Sequence, residues 1–425
     1  MKYLLTLLFG VSTGLVLGQS LQQNTPPSVQ HISYLASERP DRILMTFGDD
    51  KGNSRIITWR TKETGNKGLI QWSSQTKEVE FYKDVYKKEA ESTSLTTILG
   101  ERVTYHEVIL DELKPNEKYT YRVGDGVHWS EWIDFETTAA DEFQFIYLGD
   151  AQNDLYPLWS RVIRAAYQRA PEARLVLHAG DLINHSQNDY EWAEWFAAGG
   201  YILSSIPQII VPGNHEYVKN ENGEKVGISP LWDPQFNFPK NAPQKLSDRA
   251  YYIDYQKVRF IALDSNDDIE TQAVWLESLL KNNPQRWTIV TFHHPVISAA
   301  EGRINEGVMK NWKPLLDRYK VDMVLQGHDH VYGRGNAVNS GLGKWDEDSG
   351  TVYVVSVAGR KMYELSDHPW MQKKGQDVQT YQVINIGNDR LSYKAYTLDG
   401  DVFDAFDLIK IEGSANKLIE KLIEE

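Results

Sequence analysis

Residues 207–216 read PQIIVPGNHE. An apolar run ends there at Pro212 and Gly213, and the next side chains are Asn214, His215 and Glu216. A hydrophobic strand that stops at glycine can bend sharply, because glycine adopts backbone conformations closed to other residues. The pattern repeats outward along the chain. FQFIYLGD (143–150) closes on Asp150 and ARLVLHAGD (173–181) on Asp181, while WTIVTFHH (287–294) ends with His293 and DMVLQGHDH (322–330) with His328 and His330. Each segment is strand-like and carries a polar, metal-competent group just past its end.

Helical spacing lies between these strands. Leu158, Val162, Ala165 and Ala166 predict a helix over 155–170, and Trp192, Trp195 and Phe196 predict another over 189–198. Alternating strands and helices imply α/β layers, and open α/β sheets gather ligand groups at one sheet edge. In an extended His-x-His, the two-residue period of a strand turns both imidazoles the same way. The stretch 217–247, rich in Asn, Pro and Gly, reads as a long loop of the kind that often carries function.

The amino-terminal part has a different grain. Short alternating runs at 42–48, 54–60, 68–73, 104–110, 118–124 and 130–137 are separated by turn residues, with no helical spacing. They predict a small β-sandwich. Residues 137–142 (TTAADE) read as a linker, and 413–425 as a short amphipathic helix capped by Ser414.

Composition narrows the chemistry. In 425 residues, 45 Lys and Arg against 59 Asp and Glu leave a formal charge of −14, which excludes a general nucleic-acid binder. A small anionic substrate stays open, since a bound cation can dominate a local field. The absence of cysteine removes disulfides, thiolate metal sites and cysteine nucleophiles together, so a metal must be held by His, Asp, Glu, Asn, Gln or Tyr. The first residues, MKYLLTLLFGVSTGLVLGQS, place Lys2 before an apolar run and small residues before Gln19. Residues 1–18 are therefore expected to be a signal peptide, followed by a polar segment (19–40). Export to a bacterial periplasm or beyond is expected, without stable membrane insertion.

Taken in order, Asp150, Gly180–Asp181, Gly213–Asn214–His215–Glu216, His293 and Gly327–His328–Asp329–His330 resemble the calcineurin-like metallophosphoesterase pattern. Leu113, Pro115, Tyr119 and Tyr121 resemble the tyrosine corner of fibronectin type III-like domains. Together the chain is similar to the purple acid phosphatases. That resemblance implies a fibronectin III-like all-β sandwich (41–138) before an α/β catalytic domain (143–412), a four-layer α-β-β-α sandwich. It implies two metal ions, with Asp181 bridging, Asp150 and His330 on the first, and Asn214, His293 and His328 on the second. His215 corresponds to a substrate-contacting histidine. Two cations about 3.5–4 Å apart can ready a shared hydroxide for in-line attack at phosphorus.

Two departures bear on the first metal. The family's colour-giving tyrosine position holds Asn184, and the histidine that other metallophosphoesterases place two residues after the first aspartate is Gln152. A neutral oxygen from Gln152 or Asn184, or water, is expected instead. Without a phenolate an Fe(III)–tyrosinate centre is not expected, and Zn, Mn or Fe(II) suit the remaining ligands. His185, Tyr332, Arg334 and Arg303 are candidates for reaching the substrate anion. His294 is expected to pack or support, His178 to be structural, and His31, His106, His128 and His368 to lie at the surface. The expected substrate is a small phosphate ester. A diester, a sulfate ester or a carbohydrate-borne phosphate in a Trp-lined cleft are alternatives, as is a non-catalytic module that binds glycans or partners.

Overall fold

The structure is a computed structural model that describes residues 31–336 and 350–423, except 50, 112, 138 and 141. The signal-peptide reading therefore lies outside the described residues. Strands Phe143–Leu148, Ala173–His178 and Gln208–Ile210 run parallel in the middle of an eleven-stranded sheet. Their near-continuous apolar sequences fit strands covered on both faces. On one side the sheet continues antiparallel through Thr380–Ile386, Arg390–Thr397, Val402–Ile409 and Lys417–Glu420. A second sheet of seven strands contains Val258–Ala262, Trp287–Thr291, Met323–Gln326 and Val352–Val355 in parallel.

The two sheets share one core, in which Phe145, Leu177 and Ile384 lie with Phe260, Ile289, Leu325 and Val354. Phe145 meets Phe260 edge to face at 5.4 Å. Burying each such side chain contributes roughly 1.5–3 kcal/mol. Helices Ser160–Arg169 and Asp189–Gly199 cover the outer face of the first sheet. Helices Ile269–Lys281, Glu306–Asn311 and Lys313–Arg318 supply the core on the outer face of the second, where Leu276, Val308, Trp312 and Leu316 join Val290 and Val324. The layers are thus α-β-β-α, as expected.

The amino-terminal residues form a β-sandwich whose core includes Trp59, Ile70, Tyr121 and Phe135. The Lys114 N–H donates to the Tyr119 hydroxyl at 2.8 Å, the tie expected at the corner. One sheet of this sandwich is continuous with the catalytic sheet, because Asp41–Phe47 pairs parallel with Gln208–Ile210 through Thr46 and Gln208. Buried charges reinforce the join. Asp189 takes Arg42 at 2.7 Å and Arg60 at 3.0 Å, and Arg60 also holds Asp41 at 2.6 Å. The Tyr121 hydroxyl donates to the Ser204 carbonyl at 2.7 Å.

Several expectations are corrected. The tail is a strand rather than a helix: Lys417–Glu420 pairs with Val402–Ile409, so edge pairing overrides local propensity. The stretch 217–247 is partly ordered into a hairpin, Tyr217–Lys219 with Lys225–Ile228, and a short helix, Trp232–Gln235. The predicted helix over 155–170 opens with a wider π-helical turn, Leu155–Trp159, in which Trp159 N–H reaches back to the Asp154 carbonyl. His106 is buried, stacked on Trp59 at 5.1 Å and bonded to Thr61 and Ser92 at 2.8 Å each. Burial pushes its pKa down to about 4. Trp59, Trp159, Trp192, Trp195, Trp232, Trp287 and Trp312 are all fully buried, so none of these seven can line a cleft. Among the described residues no helix is long and apolar enough to cross a membrane.

Candidate active site and metal centre

The strand ends converge. Asp181, His293 and His328 each present one ligand atom within 4.8 Å of the others, and so do Asp150, Asp181 and His330. Asp181 belongs to both groups. Its Oδ2 lies 3.2 Å from His293 Nε2, and Asn214 Oδ1 is 3.2 Å from the same nitrogen. His328 Nδ1 is 3.1 Å from His293 Nε2, and His330 Nε2 is 3.2 Å from Asp150 Oδ2. All six predicted ligands thus meet.

Glycines make the meeting possible. A Cβ on Gly213 would stand 2.1 Å from Asp181 Oδ1, and one on Gly327 the same distance from Asp150 Oδ1. Each glycine clears space for the carboxylate contributed by a different strand. The backbone is also bent at the ligands, with φ of +49° at Asp181, +77° at His328 and +51° at His330. Positive φ is disfavoured for residues with a Cβ and gathers at functional sites. The expectation of an extended His-x-His is therefore corrected. The two left-handed residues send His328 to one group and His330 to the other. Between them, Asp329 is buried and accepts from Ser298 Oγ and from the Ala299 and Ala300 N–H groups.

Backbone carbonyls set the histidine tautomers. His293 Nδ1 donates to Ala179 O at 2.9 Å, His330 Nδ1 to Lys361 O at 2.8 Å and His215 Nδ1 to Asn184 O at 2.6 Å. In each neutral ring this leaves the Nε2 lone pair free, the usual second-layer arrangement behind metal-binding histidines. His328 is turned the other way, with Nδ1 inward and Nε2 at 2.7 Å from Arg303 Nη2.

The electrostatics are those of a cation receptor. Burial, with the Asp181 charge beside it, pushes the Asp150 carboxyl up to about 7 although His293 opposes the rise. Burial acts the same way on Asp181, but His293 and His215 outweigh it and hold that carboxyl well below its usual range. Burial disfavours a charged His293, yet Asp181 and Asp150 raise it to about 9. Burial drives His330 down to about 3 and His328 well below the ordinary range. Two buried carboxylates are stabilised by positive charge, and here the His293 ring supplies it. Asp150 Oδ2 and Gln152 Oε1 are buried without a hydrogen-bond donor, so the donor set fits a pair of cations.

Gln152 and Asn184 separate clearly. Gln152 Nε2 lies 2.8 Å from Asp181 Oδ2 and 3.1 Å from His330 Nε2, within the first group. Turning its terminal amide by half a circle exchanges nitrogen for oxygen at the same place. Asn184 instead directs its side chain to the His185 ring, 3.0 Å away, and offers only its carbonyl, to His215. His185 is held by Glu191, through Nδ1 at 2.5 Å and its N–H at 2.7 Å, and takes no part in either group.

Two candidates prove structural. Tyr332 and Arg334 lie two apart on one strand and so face the same way, into the join between the sheets. The Tyr332 hydroxyl contacts Tyr393 and Asp404, while Arg334 grips Asp404 at 2.8–2.9 Å and Glu420 at 2.7–2.9 Å. Neither reaches a substrate anion. Arg303 does stand at the site, against His328. His178 is structural as expected, bonded to Gln208 at 2.9 Å, and His294 packs on the His328 ring at 4.4 Å.

Glu216 does more than close the Gly213–Asn214–His215–Glu216 motif. Its carboxylate accepts from the N–H groups of Asp181 (3.0 Å), Leu182 (2.8 Å) and Gly213 (2.6 Å), clamping two ligand turns together. The signal was available in the acidic residue directly after Asn214–His215, at the end of a buried strand.

Comparison with known proteins agrees with this geometry. The calcineurin-like phosphoesterase family matches residues 143–332, and the purple acid phosphatase N-terminal domain matches residues 40–137. The chain is 27% identical over 353 residues to Fe(3+)-Zn(2+) purple acid phosphatase 12 of Arabidopsis thaliana, covering 74% of this chain and 71% of that protein. It is 26% identical over 352 residues to a purple acid phosphatase of Glycine max, covering 74% and 72%. The fold also matches a purple acid phosphatase from yellow lupin (Lupinus luteus) seeds, with a TM-score of 0.73, 19% identity, and coverage of 87% of this chain and 74% of that one. Two matched domains and an aspartate shared by two ligand groups point the same way: the chain carries a calcineurin-like phosphoesterase domain behind a purple acid phosphatase N-terminal domain and is similar to the purple acid phosphatases.

Proposed function

We propose that the protein is an exported phosphomonoesterase that works with two divalent cations. Asp150, Asp181, Gln152 and His330 would hold the first cation, and Asp181, Asn214, His293 and His328 the second. The observation that carries this reading is Asp181, shared by both groups, with the His215 ring beside it at 3.9 Å. When bound, such a pair supplies Lewis acidity and an acidified water at neutral pH. The residues do the rest. Ala179 O and Lys361 O orient the His293 and His330 rings, Glu216 fixes the Asp181 and Gly213 turns, and buried walls keep bulk water from the carboxylates. His215 is half-buried, and its Nε2 is free to donate to a phosphoryl oxygen or to the departing alkoxide when protonated.

With Asn184 turned away and no phenolate at that position, the centre is colourless and takes Zn, Mn or Fe(II). The test is metal analysis by mass spectrometry on protein purified without added metal, together with turnover of p-nitrophenyl phosphate, bis-p-nitrophenyl phosphate and an aryl sulfate. Two metals per chain and preference for the monoester support the reading. A preference for the sulfate or the diester reassigns the substrate, and no turnover with full metal overturns the enzymatic reading.

Gln152 gives a sharper measurement. Replacing it by histidine (Gln152→His) is expected to raise affinity for the first cation about tenfold or more, and Gln152→Ala to lower it by about 10–100-fold. Competition against a chelator of known affinity reads both. Unchanged affinity in both variants would remove Gln152 from the site.

A further inference from the structure

The chain is acidic overall, yet cations flank the metal-binding groups on two sides. On one side, the hairpin Tyr217–Lys219 and Lys225–Ile228 starts two residues after His215. Its root is pinned by the Tyr217 hydroxyl on Asp264, with Arg249 donating to that hydroxyl at 2.6 Å. Lys225 Nζ donates to Asn266 Oδ1 at 2.6 Å, and Asn266 Nδ2 donates to Pro212 O at 3.1 Å. The ammonium is therefore two hydrogen bonds from the turn that presents Asn214 and His215.

Lys219 and Lys225 are register partners across the hairpin, so both point to the same face. Like charges directly opposite on paired strands are destabilising, by up to about 1 kcal/mol. Among the described residues neither lysine pairs with a carboxylate, and nearby Glu224 is taken by Asn220 at 2.8 Å. On the other side, Arg303 and Lys361 both sit on the Tyr363 ring, at 4.7 and 5.2 Å.

We propose that Lys219 and Lys225 form a second anion subsite that takes a further phosphoryl group of the substrate, so that preferred esters carry more than one phosphate. An anion between the two ammonium groups removes a repulsion that, on the Lys225 side, is met only by neutral partners, the Asn266 amide and the Tyr217 ring. This rests on the hydrolase reading above.

The decisive comparison uses one sugar with one or two phosphates. With metal-loaded protein, kcat/KM for fructose 1,6-bisphosphate is expected to exceed that for fructose 6-phosphate by at least tenfold, mainly through KM. In Lys219→Ala/Lys225→Ala that ratio is expected to fall to about 2, the statistical value for two equivalent phosphates, on the basis that the two lysines supply the extra binding. A ratio unchanged by the substitutions, or already near 2 in the parent, overturns the proposal. A second readout needs no turnover: calorimetric titration of inorganic tripolyphosphate into metal-free protein. Its affinity is expected to drop at least tenfold in the double variant, and equal affinity in both proteins also overturns the proposal. If the parent hydrolyses no ester, the hydrolase reading fails and the tripolyphosphate titration alone decides the subsite.

Discussion

Asp181→Ala is expected to empty both proposed cation positions at once and to lower kcat/KM for p-nitrophenyl phosphate by at least about 10⁴-fold. The size follows from the several kcal/mol that paired cations supply to a phosphoryl transition state, at about 1.4 kcal/mol per decade. The cause is geometric. Asp181 Oδ2 faces His293 Nε2 at 3.2 Å, and the same residue belongs to the group built with Asp150 and His330. Removing any other ligand leaves one group complete, whereas removing this one breaks both. Asp181→Asn, which keeps the volume and one oxygen but loses the charge, should fall between the parent and the alanine variant. Metal content is measured beside activity, and turnover that survives in metal-free Asp181→Ala would contradict the two-cation reading.

His215→Ala should behave differently. Both proposed metals are expected to stay bound, because the ring lies outside the two ligand groups, and kcat to fall by about 10²–10⁴-fold, the usual worth of a positioned proton donor. The choice of ester separates its two possible duties. If the ring protonates the leaving oxygen, an alkyl phosphate suffers far more than p-nitrophenyl phosphate, whose phenolate leaves without help. If it stabilises the phosphoryl oxygens instead, both esters lose equally. Loss of metal in this variant would show that the ring supports the ligands rather than the reaction.

The ligand set was legible because each member sits at the end of an apolar strand, and strand ends in a layered α/β fold have few places to go. Asp150, Asp181 and His293 needed only local pattern. His328 and His330 were identified but misoriented, since nothing in Gly-His-Asp-His announces two left-handed residues. Tyr332 and Arg334 were misread for a related reason. Proximity in sequence to His330 suggested the pocket, but their partners, Asp404 and Glu420, lie some seventy to ninety residues onward and on the other sheet. The choice between Gln152 and Asn184 depended on side-chain direction, which a sequence does not carry. The expected helix over 413–425 gives way to a strand at Lys417–Glu420 because the edge of Val402–Ile409 offers a partner that the local pattern does not reveal.

The least legible feature is the join between Thr46 and Gln208, two residues 162 positions apart that share one ladder. With the buried Asp189 ion pairs beside it, the join is expected to make the amino-terminal sandwich and the catalytic layers unfold as one cooperative unit. A chain cut near residue 140 would leave Gln208–Ile210 as a raw edge open to intermolecular pairing, and Asp189 a buried anion stripped of both guanidinium groups. Aggregation, rather than an independently folded enzyme, is the fate of such a truncation.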